Sequence, residues 1–235
     1  MNHYNGRLKE LLLEPYKNAS ALLELPRKAM PRPGQYLLAN ETLTLQEPVP
    51  IALFPAGPGS SLKSSSQGLL PMWGQLPEHW NAGTPLALRG PLGRGFTIPL
   101  RARRVAFIAL AETPARLLPA LIEAANKGLE ITLYCDSPTR ELPLNVEVHP
   151  LVMLTKPQEW ADFILVDTVR GEIDGLAQKL GAVDQFASLN GEILVLGPMP
   201  CGGLAQCGVC SLNIALGQKF ICEDGPVFNL AELVS

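Results

Sequence analysis

The first hundred residues alternate short apolar runs with proline, glycine and polar breaks. LKELLLEPYK (8–17), ASALLELP (19–26), GQYLLAN (34–40), VPIALFPA (49–56) and PLALRG (85–90) are each strand-length and bounded by breakers. Short strands at this spacing predict a small antiparallel β-barrel over residues 1–100. GPGSSLKSSSQG (57–68) reads as a polar surface loop, and LPEHW (76–80) as a single turn. The rhythm changes after residue 101. RVAFIALA (104–111) is a continuous apolar run of the kind found in buried parallel strands. Thr113 and Pro114 form a helix start, and ARLLPALIEAANKG (115–128) carries helical periodicity up to Gly128. LEITLYCD, VEVHP, DFILVDTV and GEILVLG follow as strands, with EIDGLAQKLGAV (172–183) as a helix. Strands alternating with helices predict a parallel α/β sheet over 101–198, and a separate cysteine-bearing segment occupies 199–235.

Composition narrows the function classes. The chain is 47% hydrophobic and 17% charged, as soluble globular domains are, and no apolar run reaches the roughly 18–20 residues of a membrane span. A net charge of −3 argues against a nucleic-acid footprint, so the short basic stretch RARRV is expected on a solvated junction. The N-terminus lacks the apolar core of a secretory leader, and a cytoplasmic protein is expected.

The cysteines change the picture most. Cys135 is alone in the first 200 residues, whereas Cys201, Cys207, Cys210 and Cys222 crowd the last 35. A secreted disulfide scaffold would spread them along the chain. Three closely spaced thiols and a distant fourth are the pattern of a two-iron iron–sulfur site, wrapped by one loop. Gly202, Gly203 and Gly208 would let backbone N–H groups approach the sulfur atoms. Zinc remains open, although a four-cysteine zinc site normally uses two C-x2-C knuckles and this chain has one. Unligated packing is the third reading, and it is the one expected for Cys135.

CGGLAQCGVC and ICEDGPVF, with PGQYLL (33–38) and GPLGRGF (90–96), resemble the electron-transfer subunits of two-subunit dihydroorotate dehydrogenases, within the ferredoxin reductase-like superfamily. The resemblance spans nearly the whole chain. It implies a flavin-binding barrel, a nucleotide-binding α/β domain, and a [2Fe–2S] cluster on Cys201, Cys207, Cys210 and Cys222. It also implies a flavoprotein redox partner, such as a dihydroorotate dehydrogenase catalytic subunit, and a place in pyrimidine biosynthesis.

The chain departs from that pattern at four points. One extra residue separates Cys201 from Cys207. Glu47, Pro48, Val49 and Pro50 stand where the family has an arginine, proline, aromatic and serine flavin motif, so a carboxylate faces the diphosphate position. LAETPAR replaces the glycine-rich dinucleotide turn, with Glu112 near the phosphate position. Finally, VLGPMP runs straight into Cys201, with Leu196 where the family carries a cysteine. NAD is therefore not expected. FAD, if held, would use an altered mode, for which Gly90, Pro91 and Gly93 are the candidates.

Other candidates read as structural. His3, His79 and His149 are scattered, and Trp73, Trp80 and Trp160 are expected in the core. Asp167 ends a buried strand, where α/β sites gather, but shows no partner and reads equally as a cap. Two functions from different classes remain. One is an electron-transfer subunit that performs no bond chemistry of its own. The other is a non-enzymatic interaction protein with a structural four-cysteine metal site.

Overall fold

The computed structural model describes residues 2–13, 19–42, 49–57, 68–137, 142–182, 188–214 and 217–233. The expected loop at 57–68 lies almost wholly outside these residues, as do Glu47 and Pro48. Six antiparallel strands close the N-terminal barrel: β1 (His3–Leu13), β2 (Ala19–Glu24), β3 (Tyr36–Glu41), β4 (Ile51–Pro55), β5 (Leu69–Trp73) and β6 (Pro85–Leu92). Their order around the barrel is β1-β2-β5-β4-β3-β6. Inward-facing Leu8, Leu23, Leu37, Leu53, Met72 and Leu86 fill it, each fully buried. β5 was not among the expected strands because Pro71 interrupts it. The proline is tolerated where it pairs with Leu22, and its carbonyl accepts the Ala56 N–H at 2.9 Å.

The second half is a six-stranded sheet. It comprises β7 (Arg104–Ala109), β8 (Glu130–Tyr134), β9 (Val146–His149), β10 (Phe163–Val169), β11 (Gly191–Leu196) and β14 (Val227–Asn229). The order is β14-β11-β10-β7-β8-β9, parallel except for β14. Thus the cysteine segment ends by adding an antiparallel edge strand to the α/β sheet. Between β11 and β14 the chain forms a hairpin of β12 (Ser211–Ile214) and β13 (Gly217–Phe220).

Helix is scarcer than the periodicity predicts. α1 spans Leu118–Asn126, four residues later than the start expected at Pro114, because Pro119 lacks an N–H and suits only a first helical turn. Thr113 and Pro114 begin a separate turn, in which Pro114 O accepts the Leu117 N–H at 2.8 Å. The helix expected at 172–183 shrinks to α2 (Leu176–Lys179), flanked by Gly175 and Gly181. α1 buries Leu117, Leu118, Leu121 and Ala124 against Val105, Phe107 and Leu133 on one face of the sheet.

The other sheet face is fused to the barrel. Tyr36, Leu38, Phe54 and Trp73 of the barrel share one core with Ile108, Val166 and Val195 of the sheet and with Cys210, Cys222 and Phe228. Two of the four clustered cysteines are therefore part of the seam between the halves. Among the described residues no helix is long and apolar enough to cross a membrane.

Candidate functional site

The cysteine loop leaves β11 through Gly197–Pro200 and turns back by left-handed backbone at Gly202 and Gly203, with φ of 63° and 70°. Glycine is required there. A Cβ at Gly202 would stand 3.0 Å from Pro50, and one at Gly203 would stand 3.2 Å from Leu38 and 3.3 Å from the Tyr36 hydroxyl. Ala205 takes the same left-handed conformation, at φ 53°, without glycine's freedom, a strain of roughly 1–3 kcal/mol. That conformation lets the Ala205 N–H donate to the Cys222 sulfur, which ties the first turn of the loop to its far ligand candidate.

The four thiols fall into two pairs. Cys201 and Cys207 share a hydrogen bond, and the Cys201 sulfur also accepts backbone N–H groups of Gln206 and Leu204, the latter at 3.4 Å. These donors, Gln206 foremost, bring the Cys201 thiol down to about 6, so it is a thiolate at neutral pH. Cys210 and Cys222 meet across the base of the β12–β13 hairpin, Sγ to Sγ at 3.3 Å, where Ile221 N–H donates to Cys210 O at 3.0 Å. Burial, then the contact with Cys210, pushes the Cys222 thiol up to about 12. Cys207 is exposed and Cys201 half-buried, whereas Cys210 and Cys222 are buried. The pairs feel each other, since Cys201 also raises Cys222. Among the described residues no three His, Cys, Asp or Glu side chains are grouped to hold a metal ion. Cys135 lies elsewhere, in the core beneath α1, with its thiol donating to Ser137 O at 3.4 Å.

A cavity of about 970 Å³ opens beside this loop, between the barrel wall and the C-terminal ends of β7, β10 and β11. Open α/β sheets bind ligands at such ends. Met199 and Ile221, close in sequence to Cys201 and Cys222, form its floor with Trp73 and Arg116. The Arg116 guanidinium lies 3.9 Å over the Trp73 ring, and its Nη2 is 2.7 Å from Asp167 Oδ2. Burial holds the Asp167 carboxyl above its ordinary range, with Arg116 opposing the shift only in part.

The residues lining the cavity do not suit a dinucleotide diphosphate. Pro50 has no N–H, and the turn Leu110–Glu112 has no glycine to admit phosphate close to the backbone. Glu112 and Glu172 add carboxylates to the wall, Arg116 is joined to Asp167, and Arg170 Nη1 donates to Val209 O at 2.8 Å. Gly90, Pro91 and Gly93 do not line the cavity. Gly90 faces β3, where an added Cβ would stand 2.8 Å from Leu37, and Gly93 meets the C-terminal tail: a Cβ there would stand 2.4 Å from Pro226 Cδ and 2.6 Å from Gly225 O. Next to it, Arg94 N–H donates to Gly225 O at 2.7 Å.

Solved structures share this architecture. One, reported as an NADH-dependent reduced ferredoxin–NADP oxidoreductase of flavin-based electron bifurcation, aligns over 97% of this chain and 88% of its own with a TM-score of 0.70 at 17% identity. The chain has the ferredoxin reductase-like fold. A ferredoxin reductase of carbazole 1,9a-dioxygenase aligns over 82% of this chain and 68% of its own, with a TM-score of 0.58 and 16% identity. In sequence, the chain is similar to the electron-transfer subunit of dihydroorotate dehydrogenase B (NAD(+)) from Desulforamulus reducens. They are 24% identical over 171 residues, 62% of this chain. The match spans 64% of that relative's length. No protein-family profile matches.

In this chain the four clustered cysteines come together as two pairs, and Gly93 packs against the C-terminal tail. Asp167 has a partner after all, Arg116, so it is half of a buried ion pair and not a helix cap. Tyr36 and Arg89 were not singled out in the sequence either. The buried Tyr36 hydroxyl donates to Cys222 O at 3.3 Å. Its only sequence signal was its place in PGQYLL.

Proposed function

We propose that the chain is a one-electron transfer component in which Cys201, Cys207, Cys210 and Cys222 hold a [2Fe–2S] cluster, working with a flavoprotein partner such as a dihydroorotate dehydrogenase catalytic subunit. The observation that carries this reading is the pairing of the thiols, Cys201 with Cys207 and Cys210 with Cys222. In a two-iron cluster each iron takes two thiolates, so paired donors suit it. One tetrahedral zinc would need all four sulfurs around a single point. When bound, such a cluster supplies a one-electron couple.

The chain's own residues supply the setting. Cys210 and Cys222 sit in the seam between barrel and sheet, where Tyr36, Phe228 and Ile221 keep water away. The N–H groups of Leu204 and Gln206 are already directed at sulfur, and donors of this kind favour the more negative, reduced state. On the outer side, Cys207 is exposed between Leu204 and Val209, which are 44% and 41% exposed. An apolar rim around an accessible ligand suits a partner that must approach closely. With its poor diphosphate donors, the cavity is read as holding neither NAD nor FAD in the manner of the relatives, which leaves the partner as the source of flavin.

The second reading is an interaction protein with a structural metal. It is favoured by the place of Cys210 and Cys222 in the seam, where a bound metal would fasten barrel to sheet. One experiment separates the two. Protein purified without oxygen is expected to be brown, with iron and acid-labile sulfide near two each per chain. Stoichiometric zinc instead of iron would establish the structural reading, and one flavin released per chain would overturn the assignment of flavin to the partner.

A further inference from the structure

Arg89 stands on β6 in the barrel wall, and its guanidinium reaches the cysteine loop. Its Nη2 lies 3.5 Å from where a Cβ would stand at Gly202 and 3.6 Å from the corresponding point at Gly203. That nitrogen is buried and has no hydrogen-bond partner. No ion pair involves Arg89 among the described residues. Arg89 is half-buried, and a guanidinium nitrogen buried without an acceptor is costly, so a donor kept here implies negative charge or an acceptor nearby. The loop is where that charge belongs. Tyr36 meets the loop at the same place: its hydroxyl lies 3.3 Å from the Cβ point at Gly203 and donates to Cys222 O at 3.3 Å.

We propose that Arg89 is the countercharge of the cysteine site and raises the reduction potential of the cluster held there, a role that rests on the [2Fe–2S] reading above. Reduction adds one electron, and so one negative charge, to a cluster already anionic through its thiolates and sulfides. A fixed cation alongside favours the reduced form, and net charge is one of the quantities that set such potentials. Arg89 is a positioning residue here and ligates nothing.

The test is a potentiometric titration of the full chain against dithionite, with iron and sulfide measured on each sample. Arg89→Met keeps most of the side chain's length and removes the charge, and Arg89→Lys keeps the charge. At a fixed solution potential the ratio of reduced to oxidised cluster is expected to fall about ten-fold in Arg89→Met, a shift of about 59 mV for one electron. Arg89→Lys should stay closer to wild type. A fully loaded Arg89→Met with an unmoved potential overturns the role of Arg89 and leaves the cluster reading standing. Wild-type protein without iron and sulfide overturns both. If Arg89→Met purifies without iron, Arg89→Gln takes its place and is scored in the same way.

Discussion

Arg116 and Asp167 form an ion pair at 2.7 Å, with side chains only 1% and 0% exposed, at the wall of the cavity between barrel and sheet. Arg116 comes from the turn before α1 and Asp167 from β10, so the pair fastens the helix's approach to the centre of the sheet. The Trp73 ring beneath the guanidinium extends the link to the barrel. Removing one member leaves an uncompensated buried charge, which costs about 3–5 kcal/mol. Asp167→Leu is therefore expected to lower unfolding stability by about that amount in urea denaturation. Arg116→Met combined with Asp167→Leu should recover a large part of the loss. A double variant no more stable than Asp167→Leu alone would show that the pair's charges are not what matters.

That pair also shows where reading the sequence stops. Strands β7, β8, β10 and β11 were legible because buried parallel strands are continuous apolar runs, and DFILVDTV is one despite its aspartate. The aspartate's partner was not legible, because only the folded chain brings the β10 and α1 regions together. Local rules failed at β5, where the strand tolerates Pro71, and at α2, where glycines at both ends outweigh an apolar period. At the cysteines, spacing identified the cluster of thiols but could not give the pairing. The pairing depends on the β12–β13 hairpin and on a left-handed Ala205.

Gly93 joins the barrel to the tail. Its φ is +75°, and an added methyl would meet Pro226 and Gly225. Gly93→Ala combines backbone strain with a clash against a chain segment that leads into β14, and it is expected to cost roughly 1–3 kcal/mol. Thermal unfolding measures this directly. Gly128→Ala makes a useful control: its φ is +77°, but nothing lies within 4 Å of its added carbon, so it should lose less.

Asp162 gives the fold an acid-sensitive clip. Its carboxylate accepts the N–H groups of Arg103 and Arg104, each at 3.0 Å, and these bonds hold the carboxyl below its ordinary range. The unfolded chain titrates near the ordinary value of about 3.9. Because the folded value is lower, the contribution is fully present above the unfolded value and is lost as pH falls through the folded one. Asp162→Asn should therefore melt below wild type at pH 7, with the difference closing as the pH drops into the acid range. A difference that stays constant down to pH 3 would rule out the carboxylate's charge as the cause.

The cysteines should separate by chemistry as well as by position. Serine at Cys201, Cys207, Cys210 or Cys222 removes one of the four proposed ligands and is expected, on that proposal, to reduce bound iron to a small fraction of wild type. Cys135→Ser, under α1, should leave iron content unchanged. In metal-free protein at pH 7, iodoacetamide should modify Cys201 well before Cys222. The first thiol is held near 6 by the N–H groups of Gln206 and Leu204, while burial and Cys210 keep the second near 12. Peptide mapping of the alkylated chain reads the order, and iron with sulfide, added without oxygen before iodoacetamide, should protect both. Equal labelling of the two in the metal-free chain would show that the loop's N–H groups are not directed at Cys201 in solution. Protection by zinc alone would favour the structural metal over the iron–sulfur cluster.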